Sequence, residues 1–274
     1  MDLIYQEALR LIDAGEPFTL VTITESDGST PRKVGVKMIV LETGEVIGTI
    51  GGGPLEFKAA ELAVKTLKEG GCHKIKFELA ELMLSCGGSV EVFFEPHASL
   101  RRAVIFGGGH IASRLAPLLR TIDFRVCIVE DRKEYLASDN FLDCDKILTD
   151  GYVAEDLEKC SPKINLKPDD YAVIITRGHE FSDGKVLDYI MSMPFELAYV
   201  GMIGSRNKVS ECMKTLMEKG YPAERLKKVF APVGLDIGGE TPAEIAVAVA
   251  AQILCVKYSK DGKNVRDAKG FFNN

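Results

Sequence analysis

The sequence predicts an α/β protein: a C-terminal, Rossmann-type doubly wound parallel sheet preceded by a smaller α+β domain. Three observations carry this. Apolar runs at residues 103–106, 124–129 and 171–176 alternate with helical patterns, as expected of parallel strands covered on both faces. The first run leads into Gly107-Gly108-Gly109-His110-Ile111-Ala112, a GxGxxA turn that opens a helix. Before residue 100 the pattern differs: residues 18–24 alternate apolar and polar, and two further strands are joined by a hairpin turn.

Taken in order, residues 2–14 read as an amphipathic helix, with Leu3, Ile4, Ala8, Leu11 and Ile12 at helical spacing, closed by Gly15-Glu16-Pro17. Strands are expected at 18–24, 36–41 and 46–50, the last two joined through Glu42-Thr43-Gly44-Glu45. After Gly51, Gly52 and Gly53, Pro54 opens a helix that runs to about Glu69, where Gly70-Gly71 stop it. Residues 73–79 and 89–95 complete the first sheet, and Pro96-His97-Ala98-Ser99 reads as a polar linker. The first domain is thus expected over residues 1–97. The second spans 101–258, with a polar tail over 259–274. Within it, a helix follows the glycine turn to Thr121. Further strands are expected at 146–149, 197–200 and 229–231, and helices through 186–191, over 207–219 and over 242–258.

Composition narrows the function classes. At 274 residues and 46% hydrophobic content the chain can bury a sizeable core. A net charge of −6 speaks against nucleic acid as the main partner. Seven cysteines at irregular spacing, with no CxxC, fit reduced thiols in a cytoplasmic protein better than a disulfide framework. The N-terminal MDLIYQEALRLIDAGE has acids and no long apolar run, so it does not read as a signal peptide. No run of 18 apolar residues suggests a membrane span. The four histidines show no HxxxH or HxH spacing, and a dedicated zinc site is not expected.

The chemistry concentrates in glycine-rich loops. Gly107 permits the tight turn, Gly109 lets backbone approach a pyrophosphate, and Ala112 lets helix and sheet pack closely. The following helix offers unpaired N–H groups to an anion, with His110 at its start. Some two dozen residues on, Glu130 and Asp131 stand where a ribose acceptor belongs, and Arg132 beside them suits a 2′-phosphate. Nucleotide and pterin-phosphate ligands both remain open. Ligands of such sheets lie beyond the carboxyl ends of the strands. Thr176-Arg177-Gly178-His179-Glu180, the run from Gly201 through Gly204, Ser205 and Arg206, and residues 232–239 are all expected on that edge. Thr241-Pro242-Ala243-Glu244 reads as a helix capping box. In the first domain, Gly28-Ser29-Thr30-Pro31-Arg32 and the turn through Gly51, Gly52 and Gly53 suggest a second anion cradle, with Arg32 as a charged fork. Cys86, in Cys86-Gly87-Gly88, is expected at a turn where nearby amides favour thiolate. The other six cysteines read as packing residues.

Seven motifs in order resemble the XdhC/CoxI family, the accessory factors of xanthine dehydrogenase and carbon monoxide dehydrogenase. They are GSTPR at 28–32, GTIGGGPLE at 48–56, SCGG at 85–88, FGGGHIA at 106–112, TRGHE at 176–180, YVGMIGSR at 199–206 and APVGLDIGGETPAEIA at 231–246. The resemblance covers residues 5–256. It implies a homodimeric, molybdenum cofactor (molybdopterin) binding protein that holds the cofactor during sulfuration and helps insert it. It also implies two partners, a cysteine desulfurase and an apo molybdenum hydroxylase of the xanthine dehydrogenase type. On that reading the ligand lies between the two domains, with Cys86 near molybdenum or the transferred sulfur, as a catalytic or metal-contacting thiol. Two positions depart from the family pattern: Glu130 replaces a common aspartate, and Pro54 removes an N–H from the GGGPLE turn while suiting the first position of a helix. Two rival expectations are an NAD(P)-dependent oxidoreductase using Glu130 for ribose and His179 as acid or base, and an assembly protein with a vestigial site. The sequence offers no Tyr-x-x-x-Lys or paired Lys/Asp at a strand end for hydride chemistry.

Overall fold

A computed structural model describes residues 2–82, 87–98, 100–177 and 182–265. The chain forms two compact units, Met1–Leu100 and Arg101–Asn274.

In the first unit, helix α1 (Asp2–Ala14) precedes strand β1 (Phe18–Asp27). Strands β2 (Lys37–Leu41) and β3 (Val46–Gly48) form the hairpin, and β4 (His73–Glu78) and β5 (Ser89–His97) complete an antiparallel sheet in the order β3-β2-β1-β5-β4. Helix α2 (Gly53–Glu69) lies on one face. It presents Leu55, Ala59 and Ala63 to Val21, Met38, Val40, Val92 and Phe94. The small side chains at 59 and 63 allow close approach, and Thr19 Oγ1 donates to the carbonyl of Ala63 at 2.9 Å. Leu11 and Ala8 of α1 bury against Phe18 and Ile39, a separate cluster.

The second unit has β6 (Arg101–Phe106), α3 (Ala112–Thr121), β7 (Phe124–Glu130), α4 (Lys133–Leu136) and β8 (Asp145–Leu148). These are followed by α5 (Ala154–Ile164), β9 (Tyr171–Ile174), α6 (Ser182–Met191) and β10 (Tyr199–Met202). Helices α7 (Arg206–Glu218), α8 (Ala223–Leu226) and α9 (Pro242–Lys257) follow. The parallel sheet has the order β10-β9-β6-β7-β8, that is 5-4-1-2-3 within the unit, so the winding direction reverses between β6 and β9. Alternate residues of each strand face opposite sides. Val104, Phe106, Val129, Ala172 and Ile174 pack toward α5, α6 and α7. Ala103, Ile105, Ile128 and Val173 pack toward α3 and α9. This is the doubly wound sheet expected from the continuous apolar runs.

Three sequence expectations need correction. Pro96 and His97 are not linker: β5 continues through them, with Thr19 opposite Pro96 and Phe18 opposite His97, whose rings stack at 4.6 Å. Proline sits there without disrupting the sheet because it lies near the strand end. Residues 229–231 do not form a strand; Phe230 makes a single parallel bridge to Gly201. The strand expected at 197–200 lies two residues later. Gly201 belongs inside it, because a Cβ there would meet the Tyr199 hydroxyl and Val233 Cγ2, each at 2.5 Å. Sequence pattern also misses α5, a mostly polar helix that buries only Leu157 and Ile164 and carries Pro162 near its end.

Candidate functional site

The winding reversal places two loops side by side at the carboxyl edge, one after β6 and one after β9. Gly107 N donates to Val129 O at 2.8 Å and Ile175 N donates to Phe106 O at 2.9 Å, fixing both loops to their strands. Gly107 has φ of 110°, and a Cβ would run into the Ile175 carbonyl oxygen, so only glycine fits. Gly109 differs. Its φ is not positive, and a Cβ there would meet nothing within 4 Å. Among the described residues, the amides of Gly109 and His110 donate to no protein acceptor. They open onto a cavity of about 320 Å³ whose lining includes Ile111, Arg132, Ile175, Thr176, Arg177 and Ile203. A second cavity of about 270 Å³ adjoins the same turn, lined by Gly108, Gly109, His110, Ser113, Glu134, Tyr135, Ser138 and Asn140.

Beneath the turn lies a lattice of two carboxylates and two guanidinium groups. The Glu130 side chain is fully buried. Its Oε1 accepts from the amides of Asp131 and Arg132, each at 3.1 Å, and from Arg132 Nε at 2.7 Å. Its Oε2 accepts from Arg132 Nη2 at 3.0 Å and from the Gly108 amide. Burial alone would raise this carboxyl; the Arg132 hydrogen bonds and the backbone amides outweigh it and bring it down to about 2. Five donors fill the capacity of a carboxylate. Glu130 therefore stands at the expected strand end, but its oxygens are spent on holding the glycine turn and Arg132. The Arg132 guanidinium also lies over the Tyr135 ring at 3.7 Å. Asp131 Oδ2 accepts from Arg177 Nη2 at 2.7 Å, whereas Oδ1 is buried and accepts no hydrogen bond. Burial first, then the neighbouring Glu130, pushes the Asp131 carboxyl up.

Two residues outside the expected set also shape this edge. Asp183, in the first turn of α6, accepts from the Thr176 amide at 3.0 Å and from Thr176 Oγ1 at 2.6 Å, which pins the loop carrying Arg177. Burial raises the Asp183 carboxyl against those hydrogen bonds. An acid in a first helical turn is the only sequence signal for it, and that pattern is common. Tyr135 is the other, a platform for Arg132 with no signal beyond its type. Of the remaining expected residues, Gly204, Ser205 and Arg206 follow β10 on the same edge, but only their neighbour Ile203 lines the cavity. Ser205 caps α7, its Oγ accepting from the Lys208 amide at 3.4 Å. The Thr241–Glu244 capping box forms on α9. His179 lies outside the described residues.

In the first unit, three of the expected loops meet. A Cβ on Gly51 would lie 2.8 Å from Pro31 Cγ and 3.6 Å from Arg32 Cγ, and one on Gly88 would lie 2.7 Å from Ser29 O. The GSTPR loop therefore lies between the glycine turn before α2 and the Gly87-Gly88 pair. The amide cradle expected at Gly51, Gly52 and Gly53 is partly filled from within. Glu56 Oε2 accepts from Thr49 Oγ1 at 2.5 Å and from the amides of Ile50 and Gly52, each at 3.1 Å. Arg32 is exposed. Cys86 lies outside the described residues. Among the described residues, the cysteines are free, and the Cys127 thiol in β7 is pushed up to about 12, chiefly by burial. No group of three His, Cys, Asp or Glu side chains among them is placed to hold a metal ion, and no described helix is long and apolar enough to cross a membrane.

Comparisons with known proteins place the chain by family and fold. Residues 103–253 match the model of the XdhC Rossmann domain, and residues 11–78 that of the XdhC and CoxI family. An uncharacterized protein of Escherichia coli (strain K12), YqeB, is 32% identical over 264 residues, 94% of this chain and 47% of that protein. A probable xanthine dehydrogenase subunit of Bacillus subtilis (strain 168) is 31% identical over 153 residues, 56% of this chain and 42% of that protein. The molybdenum cofactor insertion chaperone PaoD of Escherichia coli (strain K12) is 30% identical over 87 residues, covering 30% and 27%. The chain thus spans about half or less of the length of these curated relatives. A crystal structure of a xanthine dehydrogenase from Bacillus halodurans shares the fold, with a TM-score of 0.50 at 21% identity, covering 95% of this chain and 98% of that one. With residues 103–253 of its second unit and residues 11–78 of its first matched by these family models, the chain belongs to the XdhC and CoxI family.

Proposed function

We propose that this protein binds the molybdenum cofactor and serves the maturation, by sulfuration and insertion, of a molybdenum hydroxylase of the xanthine dehydrogenase type. The observation that carries the reading is the cradle at the carboxyl edge. Two unpartnered amides, of Gly109 and His110, open with Arg132 and Arg177 onto one cavity of about 320 Å³. Amides at a helix start together with guanidinium groups suit a phosphate-bearing ligand, and the molybdenum cofactor carries a phosphate on its pterin. The apolar wall of Ile111, Ile175 and Ile203 suits a flat ring system. When bound, the cofactor supplies a metal already held by its own dithiolene. The chain's own residues bind its phosphate, orient the pterin and exclude water. The insertion role of PaoD supports the same reading. We also assign cofactor contacts to Arg32, Gly51, Gly52, Gly53 and Cys86 on their own unit, and a cysteine desulfurase and a second copy of the chain as partners.

The test is to incubate the purified protein with molybdopterin released from a molybdenum enzyme, pass it over a desalting column, and measure retained pterin fluorescence and molybdenum. Stoichiometric retention is expected, falling about tenfold or more in Arg177→Ala, as befits loss of a charge-assisted contact. No retained pterin in the wild-type protein would overturn the proposal.

A further inference from the structure

The parallel sheet ends at β10, and that edge is only half closed. Tyr199 N donates to Asp170 O and Ile203 N to Ile174 O, so alternate residues of β10 turn their backbone groups toward β9. Val200 and Met202 therefore turn theirs outward. Phe230 covers part of that outer side: its amide donates to Val200 O and its carbonyl accepts from Met202 N, each at 2.9 Å. The Val200 amide lies one step short of this bridge. It donates to no acceptor among the described residues, although Val200 is only 7% exposed. A shielded N–H without a partner is rare in folded chains. Val200 lines a cavity of about 390 Å³ at this edge, together with Glu196, Arg225, Lys228, Phe230 and Val256.

Arg225 is a second donor in the same wall with capacity to spare. It holds the connection between α6 and β10, its Nη1 donating to Met193 O at 3.0 Å and its Nη2 to Phe195 O at 2.5 Å. Both acceptors are neutral carbonyls. Three of the five guanidinium N–H groups remain, and Nε is buried with no partner. Glu196, the acid of this wall, is taken by Lys228 at 2.6 Å, which leaves the charge of Arg225 in excess. The apolar part of the wall includes Phe230, stacked on Tyr199 at 5.1 Å and still 36% exposed. From these features we infer that the cavity is a separate ligand site, for a small organic carboxylate with a flat or branched apolar body. The carboxylate takes the spare donors of Arg225 and Val200, and the body lies against Phe230 and Val256. An extended peptide does not fit as an added strand, because Val200 O and Met202 N, the next outward groups, are already spent on Phe230. The lining shares no residue with the carboxyl-edge cavity, so this inference does not rest on the molybdenum cofactor reading.

The experiment is isothermal titration of the full chain, at fixed ionic strength, with benzoate, 4-methylpentanoate, acetate, benzamide and benzylamine. One of the two larger acids should bind at least about tenfold more tightly than benzamide, which keeps the ring and lacks the charge, and than acetate, which keeps the charge and lacks the body. Preference for benzoate marks a flat ligand and preference for 4-methylpentanoate a branched one; both support the site. Benzylamine, with the opposite charge, should not bind. Phe230→Ala removes the exposed ring and keeps the backbone bridge, and should weaken the preferred acid about tenfold with a cooperative unfolding transition retained. Arg225→Lys keeps the charge without the planar fork and should weaken it at least as much. If Arg225→Lys does not fold, the probe series and Phe230→Ala decide. The inference is overturned if neither acid binds better than benzamide and acetate, or if either variant, once folded, binds the acid like the wild type. Pterin retention is measured separately, so either result can fail alone.

Discussion

At the scale of single residues, the fully buried carboxylate of Glu130 is the most constrained group in the carboxyl-edge lattice. Its pKa in the folded state, about 2, lies below the ordinary value near 4.3 of a free glutamate. A lowered carboxyl contributes stability that is present above the unfolded pKa and is lost as pH falls through the folded one. Glu130→Gln should therefore cost on the order of 2 kcal/mol at pH 7. The gap to the wild type should close between about pH 4.3 and pH 2, read from denaturant unfolding curves at stepped pH. A second constrained pair is Asp170, whose side chain is 3% exposed, with Arg102 Nε at 3.0 Å. Arg102→Ala leaves that carboxylate buried without its cation. A loss of about 3–5 kcal/mol is expected in chemical denaturation. Neither pairing was legible in the sequence. Glu130 stands where a ribose acceptor belongs, but whether its oxygens are free depends on Gly108, 22 positions away, and on the rotamer of Arg132.

At the scale of elements, local chemistry is written plainly and its use is not. Thr241-Pro242-Ala243-Glu244 forms its capping box as its residue types require, and Ser205 caps α7. Thr241→Ala should cost about 1 kcal/mol, measured as a lowered unfolding midpoint. Glycines separate into two kinds that look alike in sequence. Gly107→Ala should destabilise the second unit strongly, by more than about 2 kcal/mol, because a positive φ and the Ile175 carbonyl both oppose a Cβ. Gly109→Ala should leave stability untouched. Comparing the two thermal transitions checks the contrast; equal losses would mean that both glycines serve packing. The glycine turn before α2 shows the same limit of local reading. Its amides were expected to face an anion, and Glu56, four residues beyond Gly52, supplies one from the chain itself.

At the scale of the whole molecule, each unit has its own apolar core, one on the antiparallel sheet and one on either face of the parallel sheet. A fragment beginning at Arg101 is therefore expected to unfold cooperatively by itself, with a single sigmoidal transition in circular dichroism; a featureless melt would show that its core is insufficient. The sequence by itself determined the two sheet types, the strand–turn–helix at Gly107 and the family, because these rest on periodicity and on contiguous motifs. It could not show that α5 exists, since a helix burying two side chains carries almost no apolar period. Nor could it place Gly201 inside a strand, where the reason is a tyrosine and a valine whose side chains close over it only in the fold. The tertiary structure alone decided which groups at the carboxyl edge are engaged and which are free. Glu130 and Glu56 are spent on backbone amides and Asp131 Oδ1 lies 3.6 Å from Arg132 Nε, while the amides of Gly109 and His110 donate to no acceptor among the described residues. The physical reason is that a hydrogen-bonding group has a fixed capacity, and which neighbours fill it is settled only when loops distant in sequence are brought within about 3 Å.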